Sequence, residues 1–473
     1  MSHVRMLSIY DHHGKNTKFK GLFASCPKYM KQLKSLDSQL KIQSSAGFFE
    51  NSRETVPKKI LFPSDFLKFL PRFEEIKLTF PFFQYSPQMN RIFQFKKYPV
   101  SMRRISLHNP NCRQTALTVS LEHLTGLRDL EIVLMPETNL DLAKSVYSLI
   151  SKVPEELQVL KVNFDKELYI NAEINAAIKR LVNLKKVKLQ LSTERYLDNL
   201  QILDNLIECP LESLNLELHF RMDQDTLRVK ELISKKQNTL KKIKLTLIKR
   251  TGVFESVFCL TELVKAIDSL PQLTNFNFLL RVSKPELASV VTFKNLFTKP
   301  IPLKKFQLIS NELKFPKTEF LHLLGSLQGI SPHLEKLRID VGKFQPESET
   351  ESDKLYEFIR SLVNIRMLKL DSLSVPQQDL SGVIGAVLSL RNLTDLTIGQ
   401  FFEVPMRVLV WEIEKILGKY GLRKFETRIM LSYAQSSEKY PRLNLINLKR
   451  KNPYLLNYPS KFVPSLGLSE ETW

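Results

Sequence analysis

The chain has 473 residues, 43% hydrophobic and 25% charged, which provides for a long apolar core and excludes wholesale disorder. Lys and Arg number 70 against 49 Asp and Glu, and the net charge of +21 points to an anionic partner. Cys26, Cys112, Cys209 and Cys259 are widely spaced with no C-x-x-C pair, which excludes a disulfide framework and a cysteine-built zinc site.

The first residues carry Asp11 and Lys15 where a secretory signal needs its apolar core, and no run is apolar enough to span a bilayer. The expectation is therefore a cytoplasmic protein without a membrane span. Residues 1–69 carry weak strand and helix signals, at Tyr29 to Leu40 and Phe66 to Leu70, and read as an N-terminal cap.

From Phe73 onward one motif recurs, apolar-x-x-apolar-x-apolar, first as Phe73-Glu-Glu-Ile76-Lys-Leu78. Further copies begin at Met102, Leu127, Leu157, Leu184, Leu211, Leu240, Leu273, Leu303, Leu334, Ile365, Leu393 and Leu422. The mean interval is about 29 residues, the upper end of the leucine-rich-repeat range. Within Leu240-Lys-Lys-Ile243-Lys-Leu245-Thr-Leu247 apolar and polar residues alternate, the pattern of a strand buried on one face.

Between these strands the period changes. Ile174 to Leu181, Leu260 to Ile267, Leu355 to Leu362 and Val383 to Leu388 place apolar residues three and four apart, as an amphipathic helix does. One strand and one helix cannot bury their own apolar stripes, but stacked copies enclose a continuous core between a parallel sheet and a row of helices. The fold class expected is an α/β leucine-rich-repeat-like solenoid, a horseshoe with parallel strands on its concave face and helices on its convex face. It would hold about 13 units over residues 70–430, with a C-terminal cap and tail at 431–473. Leu443 to Leu448 would form one last strand, and Glu347 to Asp353 a solvated acidic loop before the helix at Leu355.

Copies such as Leu334-Glu-Lys-Leu337-Arg-Ile339 and Leu393-Thr-Asp-Leu396-Thr-Ile398 resemble leucine-rich repeats, with a length similar to the ribonuclease-inhibitor-like class. The resemblance implies a non-catalytic scaffold that binds protein. One departure stands out. Where the family pattern wants Asn or Cys three residues past the motif, this chain has Met135, Asp165, Ser192, His219, Ile248, Arg281, Gly342 and Phe401, with Asn only at Asn311. The loops must be satisfied in another way.

Residues two and four places after the first motif position should face solvent on the concave side. From the fourth unit to the eleventh these are sixteen positions. Nine are basic, Lys161, Lys186, Lys188, Lys242, Lys244, Lys305, Lys336, Arg338 and Lys369, and none is acidic. The flanking units supply Glu75, Asp129, Glu131, Asp395 and Glu426 instead. Lysine is a point charge suited to attraction over distance, and aromatics for base stacking are absent from these positions. The leading expectation is therefore a scaffold that binds an acidic protein surface or tail. The alternative is association with RNA or other nucleic acid, and a lesser one is a substrate adaptor for ubiquitin ligation.

No phosphate-binding glycine loop and no H-E-x-x-H occurs, and no paired-carboxylate constellation stands out. His12 and His13 are adjacent, and His108 lies near Cys112, but neither pair reads as a metal or catalytic site. The expectation is no enzyme, no metal, no cofactor and no small-molecule substrate.

Overall fold

A computed structural model describes strands at 6–11, 35–40, 75–79 and 424–430. It also describes residues 100–108, 124–133, 149–163, 172–192, 200–222, 225–249, 257–282, 301–310, 317–341 and 344–402, with a few isolated positions. The chain divides into two compact units, Met1–His219 and Phe220–Trp473.

The first unit holds β1 (Met6–Asp11), β2 (Ser35–Leu40), β3 (Glu75–Thr79), β4 (Arg104–His108), β5 (Asp129–Val133), β6 (Val159–Asn163), β7 (Lys186–Ser192) and β8 (Ser213–His219). Successive strands pair in parallel and in chain order. Helices α1 (Ala172–Arg180) and α2 (Gln201–Leu206) pack together in this unit.

The second unit holds β9 (Lys242–Lys249), β10 (Asn275–Val282), β11 (Lys305–Ile309), β12 (Lys336–Asp340), β13 (Met367–Pro376), β14 (Asp395–Phe402) and β15 (Lys424–Met430). These too are parallel and sequential. Its helices are α3 (Asp225–Lys235), α4 (Val257–Asp268), α5 (Lys317–Gln328), α6 (Glu349–Ser361) and α7 (Leu380–Ser389). α3 packs on α4, α5 on α6, and α6 on α7. Each unit is thus a leucine-rich-repeat-like α/β solenoid.

The motif sets the strands. All thirteen copies from Phe73 to Leu422 are followed by a strand that begins two residues after the first apolar position. Two more copies lie upstream, within the segment read as a cap. Val4-Arg-Met-Leu7-Ser-Ile9 leads into β1, and Leu33-Lys-Ser-Leu36-Asp-Ser38 into β2, the latter disguised by a serine in the third apolar place. Leu443 to Leu448 and the tail beyond lie outside the described residues.

The three apolar positions of each copy form the core. In β9's copy Leu240, Ile243 and Leu245 are each at most 2% exposed, and the same holds for Leu303, Phe306 and Leu308 before and within β11. Each such side chain contributes about 1.5–3 kcal/mol relative to exposure. Residues between them alternate to the other face, as in the pattern of β11 and β12.

The missing asparagine ladder has a main-chain counterpart at the strand entrances. The carbonyl just before a strand accepts two N–H groups from the next copy. Glu74 O takes Arg103 N at 2.7 Å and Arg104 N at 2.8 Å, and Arg128 O takes Gln158 N and Val159 N, both at 2.9 Å. In the second unit Lys304 O takes Glu335 N at 2.8 Å and Lys336 N at 3.0 Å, and Glu335 O then takes Arg366 N and Met367 N. Because only backbone is used, Glu, Arg, Gln, Lys or Thr can occupy this position. Side chains add to it where they can. Asn183 donates to Glu155 O at 3.3 Å and Asn364 to Pro332 O at 2.7 Å, one copy back in each case.

Two local features differ from a plain repeat. The acidic stretch expected as a loop is helical from Glu349, which corrects that reading. Ser348 is the N-cap, its Oγ accepting from Glu351 N at 3.3 Å, and Glu351 Oε2 accepts from Glu347 N at 2.8 Å. Ser-x-x-Glu at a helix start is a capping pair, and carboxylates in a first turn are favoured by the helix dipole, so the acidity starts the helix. Second, the register shifts where β13 meets β14, between Leu370 and Ser374. There Gly399 lets the strands approach, since a Cβ would lie 2.6 Å from Leu373 O.

Candidate functional site

The sheet face away from the helices presents rows of side chains that run across the strands. In the second unit the first row is Lys242, Asn275, Lys305, Lys336 and Met367, and the second is Lys244, Asn277, Gln307, Arg338 and Lys369. Adjacent strands lie about 4.8 Å apart and the rows about 6.7 Å apart, so the ten side chains cover roughly 19 by 7 Å. Lys242, Lys244 and Lys336 are exposed, and Lys305, Arg338 and Lys369 are half-buried.

The basic side chains are not equally available. Arg338 donates from Nε to Asp371 Oδ2 at 2.7 Å and lies 3.8 Å from Asp340. Among the described residues, Lys242, Lys244, Lys305, Lys336 and Lys369 form no ion pair with a carboxylate. Burial, with the neighbouring ammonium groups of Lys336 and Lys244, holds the Lys305 amine below the ordinary lysine range. The five lysines therefore form a face whose positive charge is uncompensated.

The amides of Asn275, Asn277 and Gln307 stand between the charges, and Asn277 Oδ1 is enclosed with no hydrogen-bond donor. A third row continues past the basic ones, with Thr246, Leu279, Ile309 and Asp340 in register. Leu279 and Ile309 are half-buried cross-strand partners on this same face. Sequence reasoning stopped at the second row and missed them. In Phe276-Asn-Phe278-Leu279-Leu280 an unbroken apolar run hides the alternation that turns Leu279 outward.

The first unit carries Lys161, Lys186 and Lys188 on its own outer face, where Lys161 and Lys188 are neighbours in register. Lys161 lies 4.0 Å from Glu131, which also accepts from Ser106 Oγ at 2.9 Å. Alongside, Arg104 bridges Glu75 at 3.2 Å and Asp129 at 3.0 Å. Desolvation outweighs Arg104 and Lys161 at Asp129 and raises its carboxyl above the ordinary range. This face is partly neutralised pair by pair, while Lys77, Lys186 and Lys188 form no ion pair among the described residues.

On the helix side of the second unit, α5 and α6 flank an open groove of about 610 Å³ lined by His322, Gly325, Lys354 and Glu357 among others. Its charges are of both signs. Among the described residues no group of three or more His, Cys, Asp or Glu side chains could hold a metal ion. Cys209 is buried, with Sγ 3.4 Å from Leu181 O. His12, His13 and Cys112 lie outside the described residues. No described helix is long and apolar enough to cross a membrane.

No family model matches the chain, and no curated protein does. Among the solved structures that match is an internalin (inlF) from Listeria monocytogenes, 13% identical, with a TM-score of 0.34, covering 78% of this chain and 83% of that one.

Proposed function

We propose that the protein is a non-catalytic interaction scaffold whose second unit captures an acidic surface or tail of another protein on its outer sheet face. The observation that carries this reading is the set of five lysines, Lys242, Lys244, Lys305, Lys336 and Lys369, on one face of β9, β11, β12 and β13 without carboxylate partners among the described residues. Ammonium groups crowded on one face repel one another, and a carboxylate-rich partner relieves that repulsion as it binds.

The repeat length of about 29 fits the ribonuclease-inhibitor-like class of leucine-rich repeats. We read residues 1–69, whose β1 and β2 continue the sheet, as N-terminal capping repeats and 431–473 as the C-terminal cap and tail, and the protein as cytoplasmic. The net charge of +21 favours a second reading, association with nucleic acid. Against it, the three outer rows of β9 to β12 hold no aromatic side chain on which a base could stack.

The test is capture of partners from native lysate by the full chain, with and without nuclease, beside a variant carrying Lys242→Glu, Lys244→Glu, Lys305→Glu and Lys336→Glu. Acidic proteins that survive nuclease and are lost with the variant support the scaffold. Partners that vanish with nuclease transfer the face to nucleic acid. Partners retained by the variant remove the face from consideration.

A further inference from the structure

The third row of the second unit says more about the partner than the charges do. Strand faces turned to water ordinarily carry polar residues. Leu279 and Ile309 break that rule side by side: they are cross-strand partners, half-exposed, and alternate with the buried Phe278, Leu280 and Leu308. Thr246 and Asp340 flank them in the same row, so the apolar step is two residues wide and bounded by polar groups.

The rows change chemistry along the strands. The first two carry the cations, Lys242, Lys305 and Lys336 in one and Lys244, Arg338 and Lys369 in the other, with the amides of Asn275, Asn277 and Gln307 among them, and the third holds the aliphatic pair. First and third rows are four residues apart along a strand, about 13 Å. An extended ligand lying along the strands presents residues i, i+2 and i+4 to one side with the same repeat. Asn277 Oδ1 lacks a donor, and a ligand main-chain N–H that displaces the side chains covering it would supply one.

We infer that this face takes an extended acidic segment of another protein that carries an aliphatic side chain about four residues from its carboxylates. A carboxylate at one end of the segment meets Lys305 and its cross-strand neighbour Lys336, and the aliphatic group four residues on covers Leu279 and Ile309. This rests on the scaffold reading above and narrows it from any acidic surface to one class of segment. A bare polyanion satisfies the lysines and leaves the aliphatic pair wet.

Two fluorescein-labelled peptides test the inference on the full chain: a glutamate-rich peptide with one central leucine, and the same peptide with serine in that place. Wild type should bind the leucine peptide about tenfold more tightly, the gain from burying one aliphatic side chain against another. Leu279→Ser with Ile309→Ser should erase that preference and leave the serine peptide's affinity within about twofold. The milder Ile309→Thr should reduce the preference in part, and thermal unfolding of each variant reports on the fold.

Equal affinity of wild type for both peptides, or a preference that survives the double variant, overturns the inference while leaving the scaffold reading in place. Affinity for both peptides that is unmoved by Lys242→Glu, Lys244→Glu, Lys305→Glu and Lys336→Glu overturns the scaffold reading itself.

Discussion

Arg338 of β12 is held by Asp371 of the next strand, Nε to Oδ2 at 2.7 Å, so the one guanidinium among the second unit's basic rows is already spent. Its neighbours across the sheet are lysines and amides, none with a carboxylate. The pair acts as a brake on the face, since a bidentate carboxylate binder is taken out of use. Asp371→Asn releases Arg338 and removes a negative charge at the border of the face. The expected result is a rise of a few-fold in affinity for a glutamate-rich peptide, at a stability cost of about 0.5–1 kcal/mol for a partly exposed pair. Fluorescence anisotropy and urea titration measure the two, and unchanged affinity would mean that Arg338 stands outside the contact.

Lys305 makes the binding face sensitive to alkali. Burial, Lys336 and Lys244 depress its pKa, so the native state holds this proton less firmly than the unfolded chain. Charged Lys305 therefore works against folding at neutral pH, and the penalty fades as pH rises through its folded pKa. Binding runs the other way, because an acidic partner needs the protonated amine and takes up a proton as it binds. Affinity for a glutamate-rich peptide should begin to fall with rising pH below the value of about 10.4 at which an ordinary lysine titrates. Lys305→Arg, which keeps its charge, should move that fall to higher pH. Lys305→Gln should weaken binding at neutral pH and raise the unfolding temperature. Identical pH profiles for wild type and Lys305→Arg would rule out Lys305 as the source.

Much of this fold was legible because the repeat is carried by burial. A copy such as Leu240-x-x-Ile243-x-Leu245 has to hide three side chains on one face, so the strand start follows from the pattern, and all thirteen strands begin at the expected place. β2 was hidden because Ser38 interrupts the apolar signature while main-chain pairing with β3 holds the strand in place. The strand-entrance ladder was invisible for the same reason: it runs through carbonyls that any residue offers. The outward direction of the basic positions followed from alternation, but their pairing did not. Arg338 meets Asp371 only because β13 brings a residue 33 positions away alongside it. Glu349 to Asp353 looked like a loop on composition alone, and the capping geometry of Ser348 decides otherwise.

On the first unit, Asp129 should tolerate loss of its charge. It pairs with Arg104 at 3.0 Å, yet Oδ1 is enclosed without a donor and desolvation raises its pKa. A carboxyl raised in the folded state contributes stability that is present below the unfolded pKa and lost as pH rises through the folded one. Asp129→Asn removes that pH dependence. Relative to wild type the variant should gain stability between about pH 4 and pH 7, and at neutral pH it should lie within about 1 kcal/mol of wild type. Urea midpoints at the two pH values give the answer. A variant that loses ground as pH rises would mean that the Arg104 pair outweighs the burial.

Between α6 and α7 a buried carboxylate ties two neighbouring copies together. Asp379 Oδ1 accepts from Ser352 Oγ at 2.7 Å and from the Tyr356 hydroxyl at 2.8 Å. Burial, with Asp379 beside it, pushes the Tyr356 hydroxyl above the ordinary phenol range, so its contribution is complete below about pH 10 and declines as pH rises beyond. Tyr356→Phe or Ser352→Ala should each cost about 1–3 kcal/mol by removing a donor from a buried charge. Gly382 supplies the room, because a Cβ there would run into the Tyr356 ring whose hydroxyl Asp379 anchors. Gly382→Ala should cost about 1–3 kcal/mol in wild type and clearly less beside Tyr356→Ala, where no ring is left to displace. Additive losses in that double-mutant cycle would show that Gly382 is needed for some other reason than Tyr356.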